Sequence, residues 1–345
     1  MMFTHSTATG ALTAFLSNDG FVVLLHERKW GQVKTMSIAK QEAARARSFW
    51  VITSYFNWCR FDSKLSNYWV FSSQLKARGL NLVTVECALF GEPFQLPASR
   101  DVIQVRTSSI MWQKERLLNI GLESLPRECR FVAWIDCDLL FQNPNWYLEA
   151  ADTLETVGLV QLFEQMVRLP RGSTRITEGD TPSLSFMGGL RDSVTRNVPA
   201  RLGHPGFGWA ARRDVLEACD GFYDACIVGG ADRVMAHAWF GDYNAPIVRE
   251  IALGRIWPHY QKWAQKAHQV VRGSVSSIEG VLLHLWHGES AHRRYFERHE
   301  PLVGLGFDPG VDLTLNTYGC WEWSGDKPGL QRWMRSYFEG RREDG

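Results

Sequence analysis

The sequence predicts an α/β protein built on a doubly wound, mostly parallel sheet. Apolar, strand-like runs alternate with segments of helical spacing through the first half of the chain, as in parallel sheets covered by helices on both faces. Residues 131–135 are apolar throughout, as expected of a fully buried strand. This run stops at Asp136-Cys137-Asp138, which places two carboxylates at the sheet edge where open α/β folds bind ligands.

Each predicted element rests on a local pattern. Short runs of β-branched and aromatic residues predict strands at 49–53, 82–85, 102–105, 131–135, 157–163, 206–210 and 281–286. Apolar residues recurring on one helical face, such as Tyr68, Phe71 and Leu75, predict helices at 62–78, 111–123, 145–154, 213–218 and 330–338. Residues 168–206 are polar and rich in Arg, Gly, Ser and Thr, which is typical of a mobile lid or binding loop, with a disordered insertion as the alternative.

Composition excludes several classes of protein. The formal net charge of +1 argues against a protein whose main task is to grip nucleic-acid phosphates. The seven cysteines include no Cys-x-x-Cys pair, which predicts reduced thiols, a cytoplasmic protein and no zinc site built from them. We find no segment of transmembrane length and no convincing signal peptide. The oligomeric state stays open.

Asp136 and Asp138 predict a metal site. Two acids with no basic neighbour repel each other, so the pair is best explained by a hard divalent cation, Mg²⁺ or Mn²⁺. A cation at a sheet edge suits a diphosphate ligand, which indicates sugar-nucleotide chemistry. The alternative is a helix cap in which Asp138 begins the next turn.

The predicted helix at 111–123 carries a second group of polar residues. Lys114, Arg116 and Asn119 occur at helical spacings that allow them to face one cleft. The two cations suit phosphates, and Asn119 suits a ribose or a base. An ordinary amphipathic helix with a solvated charged face is the alternative.

The order of these motifs resembles that of the GT-A glycosyltransferases, in the style of the large family 2 group. The resemblance covers residues 48–165 well and the rest more loosely. It implies a GT-A fold and metal-dependent transfer of a sugar from a nucleoside diphosphate donor, a UDP-sugar, to an acceptor hydroxyl. The site residues that it implies are Asp136 and Asp138 at the metal and diphosphate, Thr53 and Ser54 near the nucleobase, and Lys114, Arg116 and Asn119 near the nucleotide.

Two motifs of the second half extend the resemblance to the acceptor. The run 206–210 is similar to a Gly-Phe pattern of galactosyltransferase-like members, which implies Gly208 and Trp209 at the acceptor, where Trp209 stacks on a sugar; a tight turn plus a core tryptophan is the alternative. The run 228–233 resembles a Gly-Gly-Glu-Asp segment, with Ala231 in place of Glu. This implies Asp232 as the catalytic base of an inverting enzyme, although a helix N-cap and a retaining mechanism stay open.

The third motif is His284-Leu285-Trp286-His287-Gly288. In several metal-dependent members of the family, a histidine from this region completes the metal site. The resemblance therefore implies His284 or His287 as a metal ligand, and the sequence does not distinguish between them. Arg293 and Arg294 follow, where they either clamp the diphosphate or coat a helix.

The predicted organisation has four parts. A weakly structured extension covers 1–35, with Met36 as a possible functional start; a nucleotide-sugar-binding half covers 36–165, an acceptor-binding and catalytic half covers 166–300, and an aromatic, basic segment covers 301–345.

The acceptor is a saccharide or a hydroxymethylated pyrimidine in DNA. The DNA acceptor rests on the arginines of 168–206 and on the aromatic and basic segment 257–266.

Two other functions compete with glycosyl transfer. One is a catalytically inactive GT-A-like protein that holds a sugar nucleotide or a glycan. The other is a metal-dependent hydrolase, which needs more ligands near Asp138 than the sequence identifies.

Overall fold

A computed structural model describes residues 3–7, 10–16, 22–26, 47–196 and 203–345. Its centre is a seven-stranded sheet with the spatial order Val275–Ser277, Leu159–Gln161, Gly208–Arg212, Phe131–Ile135, Phe49–Phe56, Asn81–Leu89 and Val102–Thr107. Every pairing is parallel except the two made by Gly208–Arg212, which runs antiparallel to both neighbours. The predicted α/β class with a mostly parallel sheet is therefore confirmed.

Helices cover both faces of this sheet. Because side chains alternate along a strand, Val51 and Ala133 face one hydrophobic core while Ile52 and Trp134 face another. The first core includes the helices Asp62–Ala77 and Trp146–Leu154, and the second includes Lys114–Ser124, Arg213–Ala218 and Ala231–Trp239. The doubly wound arrangement is therefore present. The remaining helices are Phe186–Arg196, Pro246–Ile251, Ile256–Val271, Glu300–Gly304, Pro309–Asp312 and Pro328–Glu339, with a 3₁₀ turn at Ser290–Arg293.

A second sheet continues directly from the end of the buried strand Phe131–Ile135. Its four strands are ordered Ser183–Leu184, Gln165–Arg168, Val281–His284 and Leu139–Phe141. In this sheet His284 pairs with Leu139, and the Leu285 amide donates to the Asp138 carbonyl oxygen at 2.9 Å. This register brings the predicted histidine motif to the predicted acidic motif.

The observed elements follow the predictions closely in the first half. The strand at 131–135 and the helix at 213–218 have their predicted bounds, whereas the strands that begin near 49 and 82 extend to Phe56 and Leu89. Residues 168–206, predicted as a lid or loop, contain the strand Ser183–Leu184 and the helix Phe186–Arg196.

Two further small sheets, one of two strands and one of three, occur outside the two larger sheets. Leu313–Leu315 pairs with Trp321–Trp323, and the segment 1–35, predicted as weakly structured, contains three antiparallel strands at Phe3–Thr7, Gly10–Leu16 and Val22–His26. Met36 lies outside the described residues. In the part of the chain that the structure describes, none of the helices has the length and apolar character needed to cross a membrane.

Candidate active site

A cavity of about 420 Å³ lies where the strand Phe131–Ile135 ends. Asp136 and Asp138 enter its lining because the buried strand stops just before them. Asp232 comes from the first turn of the helix Ala231–Trp239, and His284 and His287 come from the end of the second sheet. Ser54, Lys114 and Arg293 also line the cavity, so eight of the sequence-predicted site residues meet in one cleft.

Asp138, His284 and His287 form a candidate metal centre. One ligand atom from each lies within 4.8 Å of the others. An oxygen of Asp138 lies 3.1 Å from His287 Nε2 and 3.8 Å from His284 Nε2, and the two Nε2 atoms are 2.8 Å apart. The second carboxylate oxygen of Asp138 is buried and has no hydrogen-bond partner among the described residues. A divalent cation fits this set, because it would satisfy the orphaned oxygen and both imidazoles.

The electrostatics of the three residues also suit a cation. Burial lowers the pKa of His284 to about 3, with Arg168 and Arg293 adding to the effect, and burial and Arg293 hold the pKa of His287 well below its usual value. Both rings are therefore neutral, which is the form that binds metals. Burial, followed by the charge of Asp136, raises the pKa of Asp138 to about 7 against the opposing effects of Arg293 and Lys64, so a bound cation would stabilise the ionised carboxylate.

Asp136 has a different partner. Its carboxylate lies 2.6 Å from Lys114 Nζ, and the same ammonium group donates to both oxygens of Asp232 at 3.0 and 3.1 Å. Although burial favours the neutral amine, Asp136 and Asp232 raise the pKa of Lys114 well above its usual value. The two acids of the Asp-x-Asp pair therefore have different partners: Asp136 faces Lys114, and Asp138 faces His284 and His287.

The predicted acceptor residues lie in the sheet. Trp209 is buried, its Nε1 donates to the Pro205 carbonyl oxygen at 2.7 Å, and its ring contacts Trp239 with centroids 4.9 Å apart. Gly208 begins the same strand and is also buried. The ring of Trp209 therefore has no face free for a sugar, and the alternative of a core tryptophan fits the structure.

Of the predicted nucleobase residues, only one reaches the cleft. Thr53 is fully buried, and its hydroxyl donates to the Ile135 carbonyl oxygen at 2.7 Å, where it joins two strands. Ser54 points to the other face, as alternation requires, and lines the cavity.

The helix Lys114–Ser124 contributes its first residue alone. Arg116 forms a salt bridge with Asp224 at 3.0 Å, and Asn119 donates to the Phe222 carbonyl oxygen at 3.0 Å. Because each helical residue turns about 100° from the last, Arg116 and Asn119 face away from Lys114. In this structure both side chains contact the loop after residue 220.

Arg293 is a cleft residue, and Arg294 is not. Arg293 is buried, contacts the imidazole of His287, donates to the His287 carbonyl oxygen at 2.6 Å, and lies 3.4 Å from Glu343. Arg294 is exposed with a φ of 45° at the end of the 3₁₀ turn. Arg341 binds the same Glu343 at 2.7 Å.

Several cleft residues are not among the site residues that the sequence predicts. They are Lys64, Arg168, His204, Phe207, Arg233, Arg298, Arg341 and Glu343. Arg233 directly follows Asp232 in the chain. Its position next to the candidate base is a sequence signal that it lies near the cleft. The pair Arg341 and Glu343 follows the last helix, where no spacing pattern marks a function.

Comparison with known proteins gives weak likenesses only. No family model and no curated protein matches the chain. Among solved structures, a variant of β-1,4-galactosyltransferase 7 from Drosophila with manganese, UDP-Gal and xylobiose is 12% identical, with 83% of this chain and 98% of that chain covered and a TM-score of 0.38. Glucosyl-3-phosphoglycerate synthase from Mycobacterium tuberculosis with Mn²⁺, UDP-glucose and phosphoglyceric acid is 15% identical, with 86% and 94% covered and a TM-score of 0.38. Because these scores lie below 0.5, any functional conclusion depends on the cleft itself.

Proposed function

We propose that this protein is a metal-dependent glycosyltransferase of the GT-A type, which moves a sugar from a nucleoside diphosphate donor, a UDP-sugar, to an acceptor hydroxyl. The observation that carries the proposal is the convergence of Asp138, His284 and His287 at the end of a buried strand of an open α/β sheet. Ligands of such sheets bind outside the carboxyl ends of the strands. Basic side chains beside this centre, including Lys64 and Arg293, suit a diphosphate.

The donor set indicates Mn²⁺ in preference to Mg²⁺. Mg²⁺ prefers oxygen ligands and retains several waters, whereas imidazole nitrogens suit transition metals. His284 and His287 would supply two nitrogens, and Asp138 one or two oxygens. A cation held there would supply positive charge to the departing diphosphate.

We propose Asp232 as the catalytic base of an inverting displacement. The acceptor oxygen attacks the anomeric carbon, the bond from that carbon to the diphosphate oxygen breaks, and the hydroxyl proton passes to the carboxylate. Asp232 lies beside Gly206, where an added Cβ would stand 3.2 Å from the carboxylate, so a side chain at Gly206 would crowd the base. Lys114 offsets the repulsion between Asp232 and Asp136 before substrates bind.

A small saccharide-like acceptor suits the structure better than DNA. The helix Ile256–Val271 contains the aromatic and basic segment that a flipped or single-stranded base would need. Tyr260 is buried and donates to the Val234 carbonyl oxygen, Trp263 donates to the Gly221 carbonyl oxygen at 3.2 Å, and Trp257 lies under the Arg249 guanidinium at 3.7 Å. Because these rings already have internal partners, they are poor stacking platforms.

The test is a donor screen. UDP release from UDP-sugars is measured in the presence of Mn²⁺. The masses of the products formed with saccharide acceptors and with hydroxymethylated DNA are determined by mass spectrometry. We expect UDP release and a hexose mass gain on an acceptor, both lost with EDTA and in Asp138→Asn. Donor binding without turnover on any acceptor, water included, would identify a binding protein instead. Turnover unaffected by EDTA would contradict the metal-dependent mechanism.

A further inference from the structure

The cleft carries more positive charge than a nucleoside diphosphate and a divalent cation require, because those two nearly neutralise each other. Among the described residues that line it, seven are Lys or Arg and four are Asp or Glu. Asp136 and Asp232 balance Lys114, and Glu343 is shared by Arg293 and Arg341. Four cations have no carboxylate partner in the described chain: Lys64, Arg168, Arg233 and Arg298.

Two of these cations flank a histidine on one side of the cleft. Arg168 ends the strand Gln165–Arg168, Arg233 lies in the first turn of the helix Ala231–Trp239, and His204 lies in the loop before Gly208–Arg212. We call Arg168, His204 and Arg233 the basic rim. All three line the same cavity, and burial, then Arg168 and Arg233, lower the pKa of His204 to about 4, so each arginine lies within electrostatic range of the histidine.

The basic rim has unused hydrogen-bonding capacity. Arg233 is half-buried, and its guanidinium forms no hydrogen bond or salt bridge with the residues that the structure describes. The ring nitrogens of His204 likewise have no hydrogen-bond partner there, and Arg168 donates to the Ser290 hydroxyl at 3.3 Å. A partly desolvated guanidinium without a partner is unfavourable, and a bound anion would offset that cost.

The basic rim lies in the same cleft as the candidate base and on the His284 side of the metal centre. Phe207 packs between His204 and His284, with ring centroids 5.4 and 5.0 Å apart, so the rim meets the metal centre from the His284 side. Arg293 meets it from the His287 side. Arg233 directly follows Asp232 in the chain. Asp232 and Arg233 both line the cavity, so a group bound at the rim would keep its hydroxyl in the cleft that contains Asp232.

We propose that Arg168, His204 and Arg233 bind an anionic group of the acceptor. The acceptor is then a hydroxyl-bearing molecule that carries a phosphate or a carboxylate a few bonds from the reacting oxygen. Guanidinium forks match both anions in bidentate geometry. This inference rests on the proposed transferase function and specifies its acceptor class.

The test uses sulfate as a tetrahedral anion and acetate as a carboxylate, with the full chain saturated with UDP and Mn²⁺. Equilibrium dialysis with labelled sulfate, and competition by acetate, measure the affinities. We expect sulfate to bind with UDP present, and Arg233→Gln to weaken it at least tenfold. Arg233→Lys, which retains the charge, should lose less. Arg332→Gln, which makes the same charge change at an exposed position of the helix Pro328–Glu339, should bind as the unaltered chain does.

The outcomes separate the two proposals. Displacement of sulfate by UDP and Mn²⁺ would leave a single anion site for the diphosphate and overturn the inference without affecting the transferase. Unchanged sulfate affinity in a folded Arg233→Gln protein would also overturn it. If UDP and Mn²⁺ do not bind at all, the transferase proposal fails, and the acceptor role fails with it. Stronger competition by acetate than by sulfate of equal ionic strength would identify a carboxylate acceptor.

Discussion

The affinity of the candidate metal centre for Mn²⁺ should depend on pH through one proton. Burial and Asp136 raise the pKa of Asp138 to about 7, while the pKa of His284 is about 3 and that of His287 lies well below its usual value. Between about pH 5 and pH 9, both imidazoles are ready to bind, and only the carboxylate must lose a proton.

The size of the effect follows from that single competition. A metal that displaces one proton loses about tenfold in apparent affinity, or about 1.4 kcal/mol, for each pH unit below the pKa of its ligand. With the pKa of Asp138 at about 7, the affinity should fall by about 100-fold from pH 8 to pH 5 and change little above pH 8. The sign is fixed because the metal binds the ionised carboxylate, which rising pH favours.

The assay is a titration of free Mn²⁺ by electron paramagnetic resonance across this range, at constant ionic strength in non-coordinating buffers. Asp138→Asn is the control, since it cannot ionise, and it should bind weakly with no slope. A loss of about 100-fold per pH unit would mean that a histidine also sheds a proton, which refutes the neutral imidazoles. A flat profile in the unaltered protein would exclude Asp138 as a ligand.

Three further predictions concern single side chains. Glu343→Gln removes the anchor of Arg293 and should lower Mn²⁺ affinity about 10- to 100-fold in the same titration; unchanged affinity would mean that Arg293 needs no anchor. Asp232→Asn should lower kcat by about 10²- to 10⁴-fold in the UDP-release assay while UDP affinity stays constant, and an equal loss of both would contradict the base assignment. Trp209→Phe should cost about 1 kcal/mol of unfolding free energy in urea melts, because the hydrogen bond to Pro205 is lost. A raised acceptor KM in that variant would restore the acceptor role.

Local sequence patterns predict the parts of the cleft that are formed by residues close together in the sequence. The strand Phe131–Ile135 has its predicted bounds because an uninterrupted apolar run of this length suits a strand buried on both faces. Asp136 and Asp138 lie one and three positions after its last residue, so their place at the sheet edge is predictable from the sequence. The sequence predicts a strand at 281–286, and the structure ends this strand at His284, with His287 in the loop that follows.

Contacts between distant residues were not predictable from such patterns. Lys114 meets Asp232 across 118 positions, and no periodicity signals that pairing. Arg116 and Asn119 have the residue types of a nucleotide site, yet helical rotation turns them to another loop. The antiparallel direction of Gly208–Arg212 depends on how the chain connects, which the apolar pattern of a single strand does not encode.

One ammonium group, that of Lys114, serves two carboxylates from separate parts of the chain. If Asp136 is neutralised, Lys114 keeps its ion pair with Asp232, and if Asp232 is neutralised, it keeps its ion pair with Asp136. The loss of stability in each single variant is therefore smaller than the full contribution of the pair. Neutralising both leaves a buried cation alone, and the thermodynamic cycle should be non-additive by about 1–3 kcal/mol. Among natural relatives, these three positions are therefore expected to vary together, since a change at one alters the value of the other two.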